Sequence, residues 1–173
     1  MPELIPVLDE AAIARKIDTI AQRISSDYKD AELVVIGVLK GAFVFMADLI
    51  RRISVERMTI DFVRLASYGS DNCSSGCIEL LQDTEMDLRG KDLLVVEDIL
   101  DTGLTLAHLH NHFKSRNPRS VRTCVLIDKT ERRQVEIEAD YVAHKVAAGF
   151  LVGYGLDYAE SYRNLSGIYH LKF

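Results

Sequence analysis

Eleven consecutive residues, Val95-Val-Glu-Asp-Ile-Leu-Asp-Thr-Gly-Leu-Thr105, hold three carboxylates, two threonines and a glycine. An apolar strand runs into the adjacent pair Glu97 and Asp98, and Asp101 opens a Thr102-Gly103 turn that leads through Leu104 and Thr105 into a helical pattern. Backbone N–H groups at a helix N-terminus, from Asp101 to Thr105, suit a phosphate, and the hydroxyls of Thr102 and Thr105 can donate to the same group. Gly103 is expected to let the backbone approach that ligand. Glu97 and Asp98 just upstream can hold Mg²⁺ or the hydroxyls of a ribose, which leaves Asp101 for proton transfer. A solvated acidic turn that merely caps a helix would use the same residue types. Three carboxylates at one strand end repel one another unless a cation or a sugar uses them, which favours the ligand-binding reading.

Three other strand ends carry chemistry: Lys40-Gly41, Asp128-Lys129 and Asp157. In an open parallel sheet, ligands bind beyond the carboxyl ends of the strands, so all four places are expected on one rim. Other phosphate motifs are missing from the chain. No G-x-x-x-x-G-K-[ST] occurs, and Gly153-x-Gly155 lacks the third glycine of a dinucleotide fingerprint.

The elements that must position these residues follow from periodicity. Ile13, Ile17, Ile20 and Ile24 share one face of a helix over Glu10 to Ile24. Glu32 to Val38 is β-branched without polar alternation, as in a parallel strand covered on both faces. A short turn leads from it into a helix over Phe43 to Ile50. Strands follow at Met58 to Leu65, near Ile78 to Leu81, at Lys91 to Val96 and at Ser120 to Ile127, with a helix over Leu104 to Lys114. Two further apolar strands lie near Tyr141 and Phe150. This alternation predicts an α/β fold with a mostly parallel central sheet and helices on both faces.

With 173 residues, the chain is the size of one domain. Its net charge of -5 repels phosphate backbones, so general nucleic-acid binding is disfavoured and any anion must be held locally. Three cysteines, Cys73, Cys77 and Cys124, cannot all pair, and no apolar run reaches signal-peptide or membrane-span length. Cytoplasm, a reducing compartment and no membrane partner are the expectation.

V-V-E-D-I-L-D-T-G-L-T resembles the ribose-phosphate signature of the type I phosphoribosyltransferases. V-L-K-G-A-F-V-F-M-A-D-L, D-F-V-R-L-A-S-Y-G-S, V-G-Y-G-L-D-Y-A-E and Y-R-N-L are similar to the 6-oxopurine branch of that family, the hypoxanthine-guanine phosphoribosyltransferases, over about Val35 to Leu165. The resemblance implies purine salvage, in which the phosphoribosyl group of PRPP passes to N9 of hypoxanthine, guanine or xanthine with release of pyrophosphate, and Mg²⁺ as cofactor. It also implies a single domain over 1–173, a mobile lid at about 66–78 that begins with Ser67 and Tyr68, and a small hood from the N-terminal segment and about 146–173. A homodimer or homotetramer is the family's usual assembly.

Residue by residue, the resemblance places Lys40 and Gly41 in the pyrophosphate loop, where the family often has a non-proline cis peptide. Glu97 and Asp98 fall on the ribose hydroxyls, directly or through Mg²⁺, and Asp101 on N7 of the purine. Asp101, Thr102, Gly103, Leu104 and Thr105 form the 5′-phosphate loop. Lys129 matches the donor to the 6-oxo group, Phe150 the ring stacked on the base, and Leu151 and Asp157 the backbone carbonyls near its 2-position. Asp157 also matches a metal ligand, beside Glu97 and Asp98, and Arg163 the arginine that holds pyrophosphate. The chain departs from the family pattern at Asn72-Cys73, at Cys77 and at Gly149, where an acidic residue is common. A rival expectation is a regulatory RNA-binding protein of the same fold. Its basic surface would have to come from Arg51, Arg52 and Arg57, with Arg132 and Arg133.

Overall fold

The computed structural model describes residues 2–68 and 77–173. Its central sheet has six strands: β2 (Glu32–Leu39), β3 (Arg57–Tyr68), β4 (Cys77–Gln82), β5 (Asp92–Leu100), β6 (Ser120–Lys129) and β7 (Tyr141–Val146). They run in the order β4-β3-β2-β5-β6-β7, all neighbours parallel except the antiparallel edge strand β4. β1 (Glu3–Leu8), β8 (Leu151–Val152) and β9 (Ile168–Lys172) form a separate antiparallel sheet in the order β1-β9-β8.

Alternation along the buried strands decides which helix covers which face. On β2, Leu33 and Val35 pack with Ile13, Ile17, Ile20 and Ile24 of α1 (Glu10–Asp27) and with Phe45 and Leu49 of α2 (Phe43–Ile50). Val34, Ile36 and Val38 turn to the other face and meet Leu106, Leu109 and Phe113 of α3 (Leu104–Lys114). Side chains of a strand alternate between faces, so a run without polar residues requires cover on both sides, and the helices supply it. The Asp9 side chain starts α1 by accepting the Ala12 N–H at 2.7 Å.

Two boundaries differ from the sequence expectation. β5 does not stop at Val96: pairing with β6 continues through Glu97↔Val125 and Leu100↔Asp128, so the carboxylates sit inside the last stretch of the strand. The apolar stretch at Phe150 contributes β8 to the small sheet through Leu151↔His170, so Asp157 follows a strand that lies outside the central sheet. β1 was not anticipated, because Pro6 weakens its strand signal. Proline is tolerated there at an edge strand, where the pairing with β9 shifts register between Pro6 and Leu8.

Candidate active site

The turn after β5 is built around Gly103, whose φ of 85° favours glycine and which directly precedes α3. A cavity of about 190 Å³ is lined by the segment from Glu97 to Gly103 with Thr105 and Leu106. Leu104 does not line it, and its N–H is donated at 3.3 Å to the Thr102 hydroxyl oxygen. Packing adds a second constraint at Gly103. A side chain there would press within 2.8 Å on Val135 and Ile137, so the glycine is required by packing against the 130s segment as well as by its backbone angle. That segment also fixes the turn from behind, since Gln134 N–H donates to the Thr102 carbonyl at 2.8 Å.

A larger cavity of about 450 Å³ opens beside the turn and shares Glu97, Asp98 and Thr105 with it. Glu97 is buried, and desolvation together with the negative charge of Asp98 pushes its carboxyl well above the ordinary range. Burial raises Asp98 too. Gly41 lies directly against the Asp98 carboxylate, leaving no room for a Cβ, and Gly155 lies as closely against the Gly41 carbonyl. The cis peptide is Leu39–Lys40. Lys40 Nζ reaches Glu160 at 2.8 Å, while Arg163 reaches Asp157 at 3.0 Å, Glu160 at 3.3 Å and the Gly155 carbonyl at 2.7 Å.

A third cavity, about 160 Å³, is lined by Asp98, Asp101, Lys129, Phe150, Leu151 and Asp157 among others. Lys129 is buried, donates to the Gly149 carbonyl at 3.3 Å and lies 3.4 Å from Asp101 Oδ2. Asp101 Oδ1 is buried without a hydrogen-bond partner among the described residues. Phe150 is half exposed and meets the Tyr158 ring edge-on at 5.7 Å. Gly149 is fixed rather than loose: its φ is 105°, a Cβ would press within 2.6 Å on the His170 ring, and its N–H donates to Glu131 at 3.1 Å.

The rim therefore gathers Lys40, Gly41, Glu97, Asp98, Asp101, Thr102, Gly103, Thr105, Lys129, Phe150, Leu151, Asp157 and Arg163 around three joined cavities. The lid expectation at about 66–78 falls largely outside the described residues, and so do Asn72 and Cys73. Backbone pairing places Ser67 and Tyr68 opposite Ile78 and Cys77 at the open end of β3 and β4. Glu97, Asp98 and Asp157 share the largest cavity but do not form a ready ligand cluster, since no group of three or more His, Cys, Asp or Glu able to hold a metal exists among the described residues. Such a donor set fits a hard cation that takes only one or two carboxylates and completes its shell from substrate oxygens, as Mg²⁺ does.

Four residues in or behind the rim carry no active-site role in the sequence reading. Glu160 and Arg64 line the largest cavity, and Arg132 lies 3.4 Å from Asp101. Arg133 sits behind the turn, donating to Asp128 at 2.5 Å and to the carbonyls of Asp101 at 3.0 Å and Ile137 at 2.9 Å. A pair of arginines in an E-R-R run reads as a solvated basic patch, and only the fold turns one inward. The RNA-binding expectation gains no support from the arginines it named. Arg51 pairs with Asp48, Arg52 with Asp18 and Asp48, Arg57 with the Asp30 carbonyl, and Arg133 is held inside.

The carboxyl ends of a mostly parallel sheet join the 101–105 turn to a carboxylate-lined cavity and an aromatic-edged pocket, and the phosphoribosyl transferase domain matches residues 6–159. The chain belongs to that family. Within it, the chain is 44% identical over 168 residues to a hypoxanthine-guanine phosphoribosyltransferase of Aquifex aeolicus, covering 96% of this chain and 93% of that one. It is 42% identical to the hypoxanthine-guanine phosphoribosyltransferase of Bacillus subtilis, covering 96% and 92%. The crystal structure of a hypoxanthine-guanine phosphoribosyltransferase from Bacillus anthracis superposes with a TM-score of 0.90 at 42% identity, covering 99% of each chain. The protein is thus a phosphoribosyltransferase of purine salvage, and among its described residues no helix is long and apolar enough to cross a membrane.

Proposed function

We propose that this enzyme transfers the 5-phosphoribosyl group of PRPP to N9 of hypoxanthine or guanine, and of xanthine as a third base, giving the nucleoside monophosphate and pyrophosphate. The observation that carries this reading is the meeting of three cavities at Asp98, which lines the phosphate turn, the carboxylate cavity and the aromatic pocket at once. A ribose placed there would have its 5′-phosphate on the 101–105 turn, its hydroxyls on Glu97 and Asp98, and its anomeric carbon between a departing diphosphate and an arriving base.

Lys129 would donate to the 6-oxo oxygen. An exocyclic 6-amine is itself a donor, so the same ammonium would reject 6-aminopurines. Asp101 would receive or return the N7 proton, with Phe150 stacked on the base and backbone carbonyls near Leu151 and Asp157 facing its 2-position. Lys40 and Arg163 would hold the diphosphate. Glu97, Asp98 and Asp157 would hold Mg²⁺, whose charge would neutralise the leaving group. With the groups fixed in place, rate comes from positioning and electrostatics. The small β1-β9-β8 sheet would serve as the hood over the base, since water reaching an oxocarbenium-like transition state would hydrolyse PRPP. Incubation with PRPP, Mg²⁺ and each of the three bases, followed by chromatography, tests the proposal: IMP or GMP is expected, and no nucleotide from any base would refute it.

A further inference from the structure

Four carboxylates and three cations line the largest cavity: Glu97, Asp98, Asp157 and Glu160 against Lys40, Arg64 and Arg163. Three of the acids have a place in the scheme above. Glu160 has none, yet it is the one whose two oxygens each take a cation, Oε2 from Lys40 at 2.8 Å and Oε1 from Arg163 at 3.3 Å. Those cations come from distant parts of the chain, Lys40 after β2 and Arg163 in the segment before β9. With both cations assigned to the diphosphate, a carboxylate that bridges them uses the charges that two phosphoryl groups would need.

As a stabilising device this bridge is modest, because the Lys40 and Glu160 side chains are 50% and 65% exposed and exposed ion pairs are weak. The backbone that presents it is also unfavourable. Tyr158 to Ser161 is a two-residue hairpin closed by Ser161 N–H to the Tyr158 carbonyl at 2.9 Å, and its central residues, Ala159 and Glu160, have φ of 50° and 63°. Such turns prefer Asn-Gly, because other residues are strained at positive φ. Strain at non-glycine residues persists where the surroundings hold it, and it clusters at functional sites. Here the Asp157 side chain helps hold it by accepting the Glu160 N–H at 2.9 Å.

We propose that Glu160 is an internal competitor for the diphosphate: its carboxylate holds Lys40 and Arg163 together until the donor's diphosphate displaces it, and returns as the diphosphate leaves. Resting on the assignment of Lys40 and Arg163 to diphosphate, this adds a residue that sets how tightly the leaving group is held. An affinity is reduced by the fraction of protein in the competent state, so a bridge closed in about nine molecules of ten weakens binding about tenfold.

The test is calorimetric titration of inorganic diphosphate, at fixed excess Mg²⁺, into wild type, Glu160→Gln, Glu160→Ala and Arg163→Ala, with GMP titrated as a control for the other two cavities. Both Glu160 variants are expected to bind diphosphate about tenfold more tightly, with a matching fall in its product-inhibition constant and GMP affinity within about twofold. A merely structural bridge would not tighten binding when broken. Diphosphate affinity that is unchanged or weaker in both Glu160 variants, while Arg163→Ala loses it, overturns the competitor and leaves the cation assignment standing. Absence of diphosphate binding in every protein overturns the assignment and the competitor together.

Discussion

Lys129 Nζ lies 3.4 Å from Asp101 Oδ2, which joins the ends of two neighbouring parallel strands, β5 and β6, across the mouth of the base pocket. The donor proposed for the 6-oxo group and the carboxylate proposed for N7 therefore form one unit. Asp101→Asn is expected to lower kcat about a hundredfold, the lower end for a lost general acid or base. Lys129→Ala is expected to raise KM for the base about tenfold or more, as for a lost hydrogen bond from a charged donor. Because the two touch, the double variant should lose less than the product of the single losses, by a coupling of about 1 kcal/mol or more. Steady-state kinetics on the four proteins measure this, and strictly multiplicative losses would separate the two roles.

Gly41 admits no side chain beside the Asp98 carboxylate. Gly41→Ala must move either the loop or the carboxylate, and overpacking of this kind costs about 1–3 kcal/mol. The expected signature is asymmetric: KM for PRPP up tenfold or more, KM for the base within about twofold, and a modest fall in melting temperature. An equal rise in both constants would mean that the loop does not serve the diphosphate side alone.

Arg133 ties β5, β6 and the 130s segment together behind the phosphate turn, and its partner Asp128 is mostly buried, with a side chain 13% exposed. Arg133→Met keeps much of the volume but strands that carboxylate, for an expected loss of about 2–4 kcal/mol. The double variant with Asp128→Asn should recover part of it, because the stranded charge is gone. Denaturant midpoints decide, and a single variant as stable as wild type would rule out the anchoring role.

Asp92 predicts the acid side of the stability curve. Burial works to raise its carboxyl, but Arg119 and Ser120, the latter at 2.5 Å, outweigh burial and hold it below the ordinary range. The unfolded chain then takes up the proton more readily than the native one, so this contribution is present above the ordinary carboxylate pKa, about 4, and fades as pH falls through the lower native value. Asp92→Asn should be less stable than wild type at neutral pH and should show a shallower loss below about pH 4. Parallel curves would remove Asp92 from the acid transition.

Strand and helix positions were legible because the core is two-sided. Once Leu33 to Val38 carries no polar residue, both faces must be covered, and the helices around Ile17 and Leu109 are the available cover. The 101–105 turn was legible because its residues are local: Asp101 to Thr105 sit within one stretch of chain and need no distant partner to be recognised. Glu160 and Arg133 were not legible. Each carries its meaning in a partner 120 residues away at Lys40, or in carbonyls at Leu100 and Asp101, and an exposed-looking charge gives no hint of such a contact. At Gly103 the fold adds a constraint that spacing could not show, since Val135 and Ile137 fill the space a side chain would need.

By itself, the sequence determined the layered α/β scaffold, the 101–105 turn and the rim on which the candidate site residues lie, because periodicity and short-range spacing are fixed by backbone geometry. Only the tertiary structure decided which charges meet: Lys129 with Asp101, Arg133 with Asp128, and Glu160 between Lys40 and Arg163. Electrostatic pairing depends on distances of a few ångströms between atoms far apart in the chain, and those distances exist only after the strands have taken their order.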